Sequence, residues 1–549
     1  MRLMSGILAT FCIAGGVAAA EDPPIDPTAD QGWSAEIREL FYHAPQGSQM
    51  IPAPFFLALE RADGQGPFSD PEYLASFGFL PADAASEVNP RKLPVGFALD
   101  PQTQQVGLTC AACHTADATV EGRTLRIEGA PSHLDFDTFY AALNLSVQLS
   151  RPAPLGVPGR FERLAAALGK TDPAEVQQLG GQFTGFAAQL GGDAQLRRPV
   201  LPSGPGRVDA LTQIVNALAV RDQMISANLY PVASPTSYPA LWLTPHLEFV
   251  QWNPIAASPI ARNGGQVLGV FGHGNLRADA GADAFASTIR LDDLAALEEW
   301  LKDLAPPKWD EEVMGALDQA LVTEGETLFE ANCKGCHGMY PYDRTDPAAN
   351  IMGKTFIKIT PVGYRAVGTD PAYVENLLGR MIFTNPVTSA LFDGAPLVPA
   401  IRFFGGTVQA VLHRSMTDAG KTEEEQLALH GFRFHLDEAG NLVPDGPEHP
   451  DRLKAGPLAG IWATGPYLHN GSVPTVYELL SPPEERRAVF WTGGHELDLM
   501  RLGYQSGDVP GRFRFDTSLR GNGNQGHAFP PEGLSHDQRM AIIEYLKTK

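Results

Sequence analysis

Two short runs constrain this chain more than anything else in it: Cys110-Ala111-Ala112-Cys113-His114 and Cys333-Lys334-Gly335-Cys336-His337. Both read C-x-x-C-H. Two thiols one helical turn apart can add to the two vinyl groups of one haem. The histidine directly after the second thiol then falls beneath the iron as its proximal ligand. Of the five cysteines in the chain, only Cys12 lies outside these runs. Four cysteines in an exported protein would by default pair as two disulfides. A Cys₄ zinc site or two redox dithiols would also use four thiols. None of these three arrangements requires a histidine after each pair. The expectation is two covalently bound haem c groups, attached through Cys110, Cys113, Cys333 and Cys336, with His114 and His337 on the irons.

Residues 1–20 read as a secretory signal peptide. Arg2 is followed by an apolar stretch from Ile7 to Val17 and by Ala18-Ala19-Ala20 at the cleavage site. The stretch is too short for a spanning helix, and an uncleaved anchor is the competing reading. No later run is apolar enough to cross a bilayer, so the mature chain is expected to have no transmembrane segment and to be periplasmic or secreted. With 44% hydrophobic residues in 549, the chain can build large cores and is not a disordered polymer. Its net charge of −22 makes nucleic acid a poor partner, because that surface needs basic patches. No Ser-His-Asp set, P-loop or nucleotide-binding fingerprint stands out.

The surroundings of the motifs divide the chain. Gly325, Leu328 and Phe329 precede the second motif as a short helix would. The chain closes on Ser535 and Gln538, a capping box, and on an apolar stripe of Ile542, Tyr545 and Leu546. Earlier, a helix from about Leu291 carries Leu294, Leu297, Leu301 and Leu304 on one face and ends at Ala305-Pro306-Pro307. Its Glu299-Trp300-Leu301-Lys302 echoes Glu544-Tyr545-Leu546-Lys547, a faint internal repeat. The boundary falls at 305–312, between an N-terminal haem c domain (21–305) and a C-terminal cytochrome c domain (313–549). The fold expected is mainly α with long irregular loops, as two tandem cytochrome c-like domains, the first enlarged and carrying short helices over 159–168 and 173–190.

Several stretches together resemble one family. They are Phe41-Tyr42-His43-Ala44-Pro45-Gln46-Gly47-Ser48-Gln49, Leu93-Pro94-Val95-Gly96-Phe97, Gly204-Pro205-Gly206-Arg207-Val208-Asp209-Ala210-Leu211, and Val250-Gln251-Trp252-Asn253 with Ala261–Phe271. The most specific is Gly460–Ser472, with Pro466-Tyr467-Leu468-His469-Asn470-Gly471 at its centre, followed by Phe515–Ser518 and Gly521–His527. The chain is similar to the large dihaem cytochromes related to bacterial cytochrome c peroxidase and MauG, and within them to the rubber-oxygenase-like branch.

That resemblance implies two haems with unequal tasks: a reactive one on His114, open to peroxide or dioxygen, and a six-coordinate relay on His337. The second ligand of the relay haem is expected to be His527, with His469, Met381 and Met416 as alternatives. His469, between Tyr467 and Asn470, otherwise reads as a hydrogen-bonding neighbour of a haem. For the reactive haem, His133 is a candidate switchable ligand, although Pro131-Ser132-His133 departs from the family pattern. Phe271 is a candidate apolar cover over the iron, and Trp252 a candidate bridge between the haems. A calcium ion at the interdomain surface is also implied, without a nameable ligand set. The partners implied are a small cytochrome or cupredoxin as electron donor. Peroxidase-like activity is the leading expectation. Oxygenation of an unsaturated apolar substrate and plain electron transfer are the alternatives.

Overall fold

The computed structural model describes residues 31–445 and 449–549; the expected signal peptide lies outside them. Helices make up 40% of the structure and strands 14%. The chain is mainly α, as its amphipathic segments predict, but short two-stranded ladders do much of the local positioning. Among the described residues no helix is long and apolar enough to cross a membrane.

The elements that place the two motifs can be named in chain order. They are α1 (Ala35–His43), β1 (Phe97–Asp100), β2 (Gln105–Leu108), β3 (Thr115–Val120) and β4 (Arg123–Glu128). Next come α2 (Phe136–Leu149), α3 (Pro173–Arg197), α4 (Pro259–Gly269), α5 (Leu291–Lys302), α6 (Gln319–Asn332) and β5 (Thr360–Gly363), and finally α7 (Ala400–Asp418), β6 (Arg452–Ala455) and α8 (His536–Lys547). β1 pairs antiparallel with β2, Phe97 opposite Leu108, and β3 pairs with β4, Thr115 opposite Glu128. The first motif fills the gap between these two hairpins. Its Cys110–Ala112 turn sits against Gly96 so closely that a Cβ there would lie 2.3 Å from Ala112 Cα. With φ at +91°, this position takes glycine for two independent reasons.

The second motif grows out of a helix. Asp318 caps α6 through the Ala320 and Leu321 amides, and Cys333 ends it. The terminal helix α8 starts on the expected Ser535/Gln538 capping box. The two helices cross at Gly325, where Phe329 and Tyr545 meet at 5.3 Å between ring centroids. α5 buries Leu291, Leu294, Leu297 and Leu301. The helix expected from residue 173 runs on to Arg197.

The packing does not divide at 305–312. One core joins Trp33, Phe41 and Leu125 to Trp462, Ile542 and Tyr545. Another joins Leu211, Leu268 and Leu294 to Phe403, Val408 and Leu412. Only the aromatic-rich core around Phe56, Phe97, Phe139 and Phe183 stays within the first half. A stripe on α4 and a stripe on α7 each find their complement across the sequence boundary, which is why the two halves interlock.

Candidate haem sites

At the first motif, Cys110, Cys113 and His114 line one side of a cavity of about 1050 Å³. That lies at the top of the range of about 300–1,000 Å³ for ligand pockets. The opposite wall comes from α4 (Ala261, Asn263, Gln266, Val267) and α7 (Ile401, Phe404, Gly405, Val408), with Trp252 and Phe392 at the sides. His114 Nδ1 lies 2.8 Å from the Pro239 carbonyl. Donating that N–H fixes the tautomer and leaves Nε2 with its lone pair. Burial lowers the His114 pKa to about 4, against the opposing pull of that carbonyl, so the ring is neutral, the form that binds a metal. Burial also raises the thiols of Cys110 and Cys113 to about 11 and about 12. Among the cavity's lining residues His114 is the sole histidine, and there is no methionine.

At the second motif, His337 Nδ1 lies 3.0 Å from the Gly456 carbonyl, an arrangement of the same kind. Facing it is His527, with ring centroids 6.2 Å apart and planes inclined at 56°. Two imidazoles on opposite sides of one metal, with about 2.0 Å per metal–nitrogen bond and roughly 1.2 Å from nitrogen to ring centre, stand about 6.4 Å apart. The buried Nδ1 of His527 has no hydrogen-bond partner, so the ring carries a polar atom the chain itself does not satisfy. Burial, with His337 and Arg486 nearby, lowers the His527 pKa to about 4, so it too is neutral.

The His527 loop is held under strain. His527 has φ +51° and Gly526 φ +84°, and a side chain in that region is costly unless its surroundings impose it. The His527 amide donates to the Val367 carbonyl at 2.9 Å. The Arg486 guanidinium donates to the carbonyls of Asn524 (2.6 Å), Gly526 (2.8 Å), Leu479 (3.1 Å) and Ser481 (3.2 Å).

The residues at both motifs fit covalently bound haem. Each has two free thiols, a neutral histidine with Nδ1 committed, and either a large cavity or a second imidazole at bonding distance. Among the described residues no three His, Cys, Asp or Glu side chains converge to hold a metal ion, so the cysteines form no zinc cage. For the same reason the expected calcium has no carboxylate-rich site there.

Three candidates lie away from the first cavity. His133 packs edge-on against His495 and Tyr504, at 4.6 and 4.5 Å between centroids, and lines a small separate void instead. The β3–β4 hairpin returns the chain to the motif, where the Ser132 amide donates to the Cys113 carbonyl at 3.0 Å, but the His133 ring is taken up by His495 and Tyr504 on the side away from the cavity. Phe271 is one layer behind the cavity wall, against Phe136, Tyr140 and the Arg197 guanidinium. His469 is buried beside Tyr373, and its carbonyl takes the Ser237 amide at 2.9 Å. Of the methionine alternatives, Met416 is buried in the α4–α7 core and Met381 is exposed. Trp252 does line the cavity. Its indole donates to the Ser237 carbonyl at 2.9 Å, and its own carbonyl takes the Lys454 amide at 2.7 Å. It thereby ties segment 237–239, which orients His114, to segment 454–456, which orients His337.

Comparison with known proteins adds a family. Over 96% of this chain and 94% of the relative, the sequence is 32% identical to the uncharacterized protein y4iJ of Sinorhizobium fredii (strain NBRC 101917 / NGR234). The chain belongs to the y4iJ family. It is also 25% identical to the uncharacterized protein y4iM of the same organism, over 58% of this chain and 66% of that one. Residues 453–492 match the family described as RoxA-like, cytochrome c-like. Within that match lie Gly456, the His337 acceptor, and Arg486, the clamp on the His527 loop. This y4iJ-family chain is therefore related to the RoxA-like cytochromes c, whose cytochrome c-like domain implies covalently bound haem c and a haem oxidoreductase kind of function.

The residues that sequence reasoning missed act mostly through their backbones. Pro239 and Gly456 orient the two histidines with carbonyls, which every residue has. Arg486 stands in a Glu-Glu-Arg-Arg run that reads as solvated surface charge.

Proposed function

We propose that this protein is an exported dihaem c-type oxidoreductase. The haem on Cys110 and Cys113 would react with peroxide or dioxygen, and the haem on Cys333 and Cys336 would relay electrons from a small cytochrome or cupredoxin. One observation carries the reading: His337 faces a second imidazole at 6.2 Å, whereas His114 faces a cavity of about 1050 Å³ with no competing strong ligand. Bound haem would supply an iron able to take a small oxidant on the open side and to pass electrons on the closed one.

The chain's own residues do the rest. Pro239 and Gly456 hold the two proximal imidazoles in the ligating tautomer. Arg486 and Val367 hold His527 against its histidine partner. Trp252, hydrogen-bonded to both proximal segments, is the aromatic group best placed to couple them. Phe392, Phe404, Ile401 and Val408 keep the open side dry.

The size and apolar lining of the cavity favour a second reading, oxygenation of an unsaturated apolar substrate, since reduction of peroxide alone needs no such space. The test is ligand binding by the purified, haem-loaded protein. Carbon monoxide or cyanide should bind one haem per chain, the one on His114. Binding at both haems, at neither, or at the haem on His337 refutes the division of roles. Turnover of peroxide with a reduced cytochrome, against oxygen uptake with an apolar alkene, separates the two readings.

A further inference from the structure

The charged residues around the first cavity are satisfied with one exception. Arg197 pairs with Asp193 at 2.5 Å, Arg262 with Glu298, and Arg402 with Asp393 at 4.0 Å. Asp445 pairs with Arg433 at 3.1 Å. Lys454 lines the same cavity, and among the described residues its ammonium has neither an ion-pair partner nor a hydrogen-bond acceptor. Its place is set by its own backbone: its amide is bound to the Trp252 carbonyl, and its stem runs within 3.9 Å of where a Cβ on Gly456 would stand. It therefore sits between the wall that carries His114 and the carbonyl that orients His337. The second cation there, Arg262, has its guanidinium drawn to Glu298 and to the Thr244 carbonyl at 3.2 Å, and Asn263 donates to the other Glu298 oxygen at 3.1 Å, so Glu298 is already committed and offers Lys454 no counter-charge. Burial, and then Arg262, lower the Lys454 pKa to about 8, which leaves it largely protonated at neutral pH. Lys454 is half-buried at the cavity wall, and a cation there without a protein partner is a ready seat for an anion.

We infer that Lys454 is a carboxylate seat between the two haem pockets. The inference rests on the dihaem reading above. The carboxylate has two candidate sources: a propionate of a bound haem, or the head group of an apolar-chain acid lying in the cavity with its tail along α7. The propionate is the stronger assignment, because it accompanies the cofactor at fixed position and stoichiometry, and because Lys454 adjoins both proximal segments. Lys454 is then a positioning residue, setting the local potential through charge.

The experiment uses the haem-loaded full chain and the variants Lys454→Met, which keeps the length of the stem and removes the charge, and Lys454→Arg, which keeps the charge. Intact mass and the visible spectrum of the wild type come first. Fewer than two haems there would refute the dihaem reading itself, independently of Lys454. Both haem midpoint potentials are then measured by spectroelectrochemical titration without added ligand, and decanoate binding is followed at the Soret band. If a propionate occupies the seat, Lys454→Met lowers at least one potential, because a positive charge that favours the ferrous state has gone, and Lys454→Arg restores most of it. If an acid substrate occupies it, the potentials stay put and decanoate binding weakens at least tenfold in Lys454→Met alone. If Lys454→Met does not accumulate, Lys454→Gln is read in the same two assays. Potentials and decanoate binding that both match wild type, in a neutral variant carrying two haems, overturn the inference.

Discussion

Two glycines in helix interiors should respond in opposite directions to the same added methyl group. At Gly325, a Cβ would stand 1.9 Å from Ala541 O, 2.5 Å from Ala541 C and 2.8 Å from Tyr545 Cβ. A relaxed carbon–oxygen contact is about 3.3 Å, so α6 and α8 must part by more than about 1 Å, and the obstacle is backbone that cannot rotate away. A gap of that size forfeits about a quarter to a half of the dispersion energy across the contact, here shared by Phe329, Ile542, Tyr545 and Leu546. Overpacking of this kind costs up to about 3 kcal/mol, and better helix propensity returns about 1 kcal/mol. The net loss for Gly325→Ala is therefore about 2 kcal/mol, a fall in Tm of about 2 °C, since a chain of 549 residues with about 2.1 cal/mol/K of unfolding entropy per residue shifts by about 1 °C per kcal/mol. Gly405 lies inside α7, and a Cβ there meets nothing within 4 Å. Gly405→Ala should gain about 0.4–1 kcal/mol and raise Tm slightly. Thermal melts followed by far-UV circular dichroism decide it. If the two variants move Tm in the same direction, or if Gly325→Ala melts with wild type, the helix crossing does not have the closeness argued here.

His527→Ala should convert the second haem from low-spin to high-spin or water-ligated, read by electron paramagnetic resonance and absorption. An unchanged signal in His527→Ala, with a change in His469→Ala or Met416→Ala instead, would move the ligand there. Arg486→Gln should give a mixture of spin states at that haem while His114-side ligand binding stays normal; a homogeneous wild-type spectrum would show that the loop holds without its clamp. Asp193 is buried, which alone would raise its pKa, but Arg197 and Arg221 more than offset this and hold it at about 2. Its contribution, about 2 kcal/mol, is thus present above the unfolded carboxylate pKa of about 3.9 and is lost as pH falls towards 2. Asp193→Asn should flatten that acid limb in denaturant titrations, and an unaltered slope would rule the group out.

Whatever covalent chemistry or local periodicity dictates is legible in the sequence. The C-x-x-C-H runs announce themselves because thioether attachment fixes both spacing and order. The α6 and α8 pattern and the Ser535/Gln538 box follow from 3.6-residue periodicity and end-capping. His527 stands out by its place in a Gly/Asn-rich loop before the last helix. His133 and Phe271 are misplaced by sequence reasoning because their surroundings are tertiary: the ring of one is taken up by His495 and Tyr504, the other is screened by Phe136. The interlocking of the halves is hidden for a related reason. The α4 and α7 stripes each look like ordinary amphipathic faces, and nothing in either names its mate. Lys454 carries no local signal, since its meaning comes from the acceptors that are missing around it.

The walls of the first cavity are laid down far apart in time. Cys110 to His114 are made early, but Ile401 to Val408 and Lys454 complete the enclosure only when more than four-fifths of the chain exists. A haem attached at the first motif before the chain has folded would wait in a groove walled by segment 236–241, Trp252 and α4 but still open where α7 belongs. The α7 wall is then a late addition, and a chain cut short before it would leave its first cofactor open on that side to solvent and to stray oxidants.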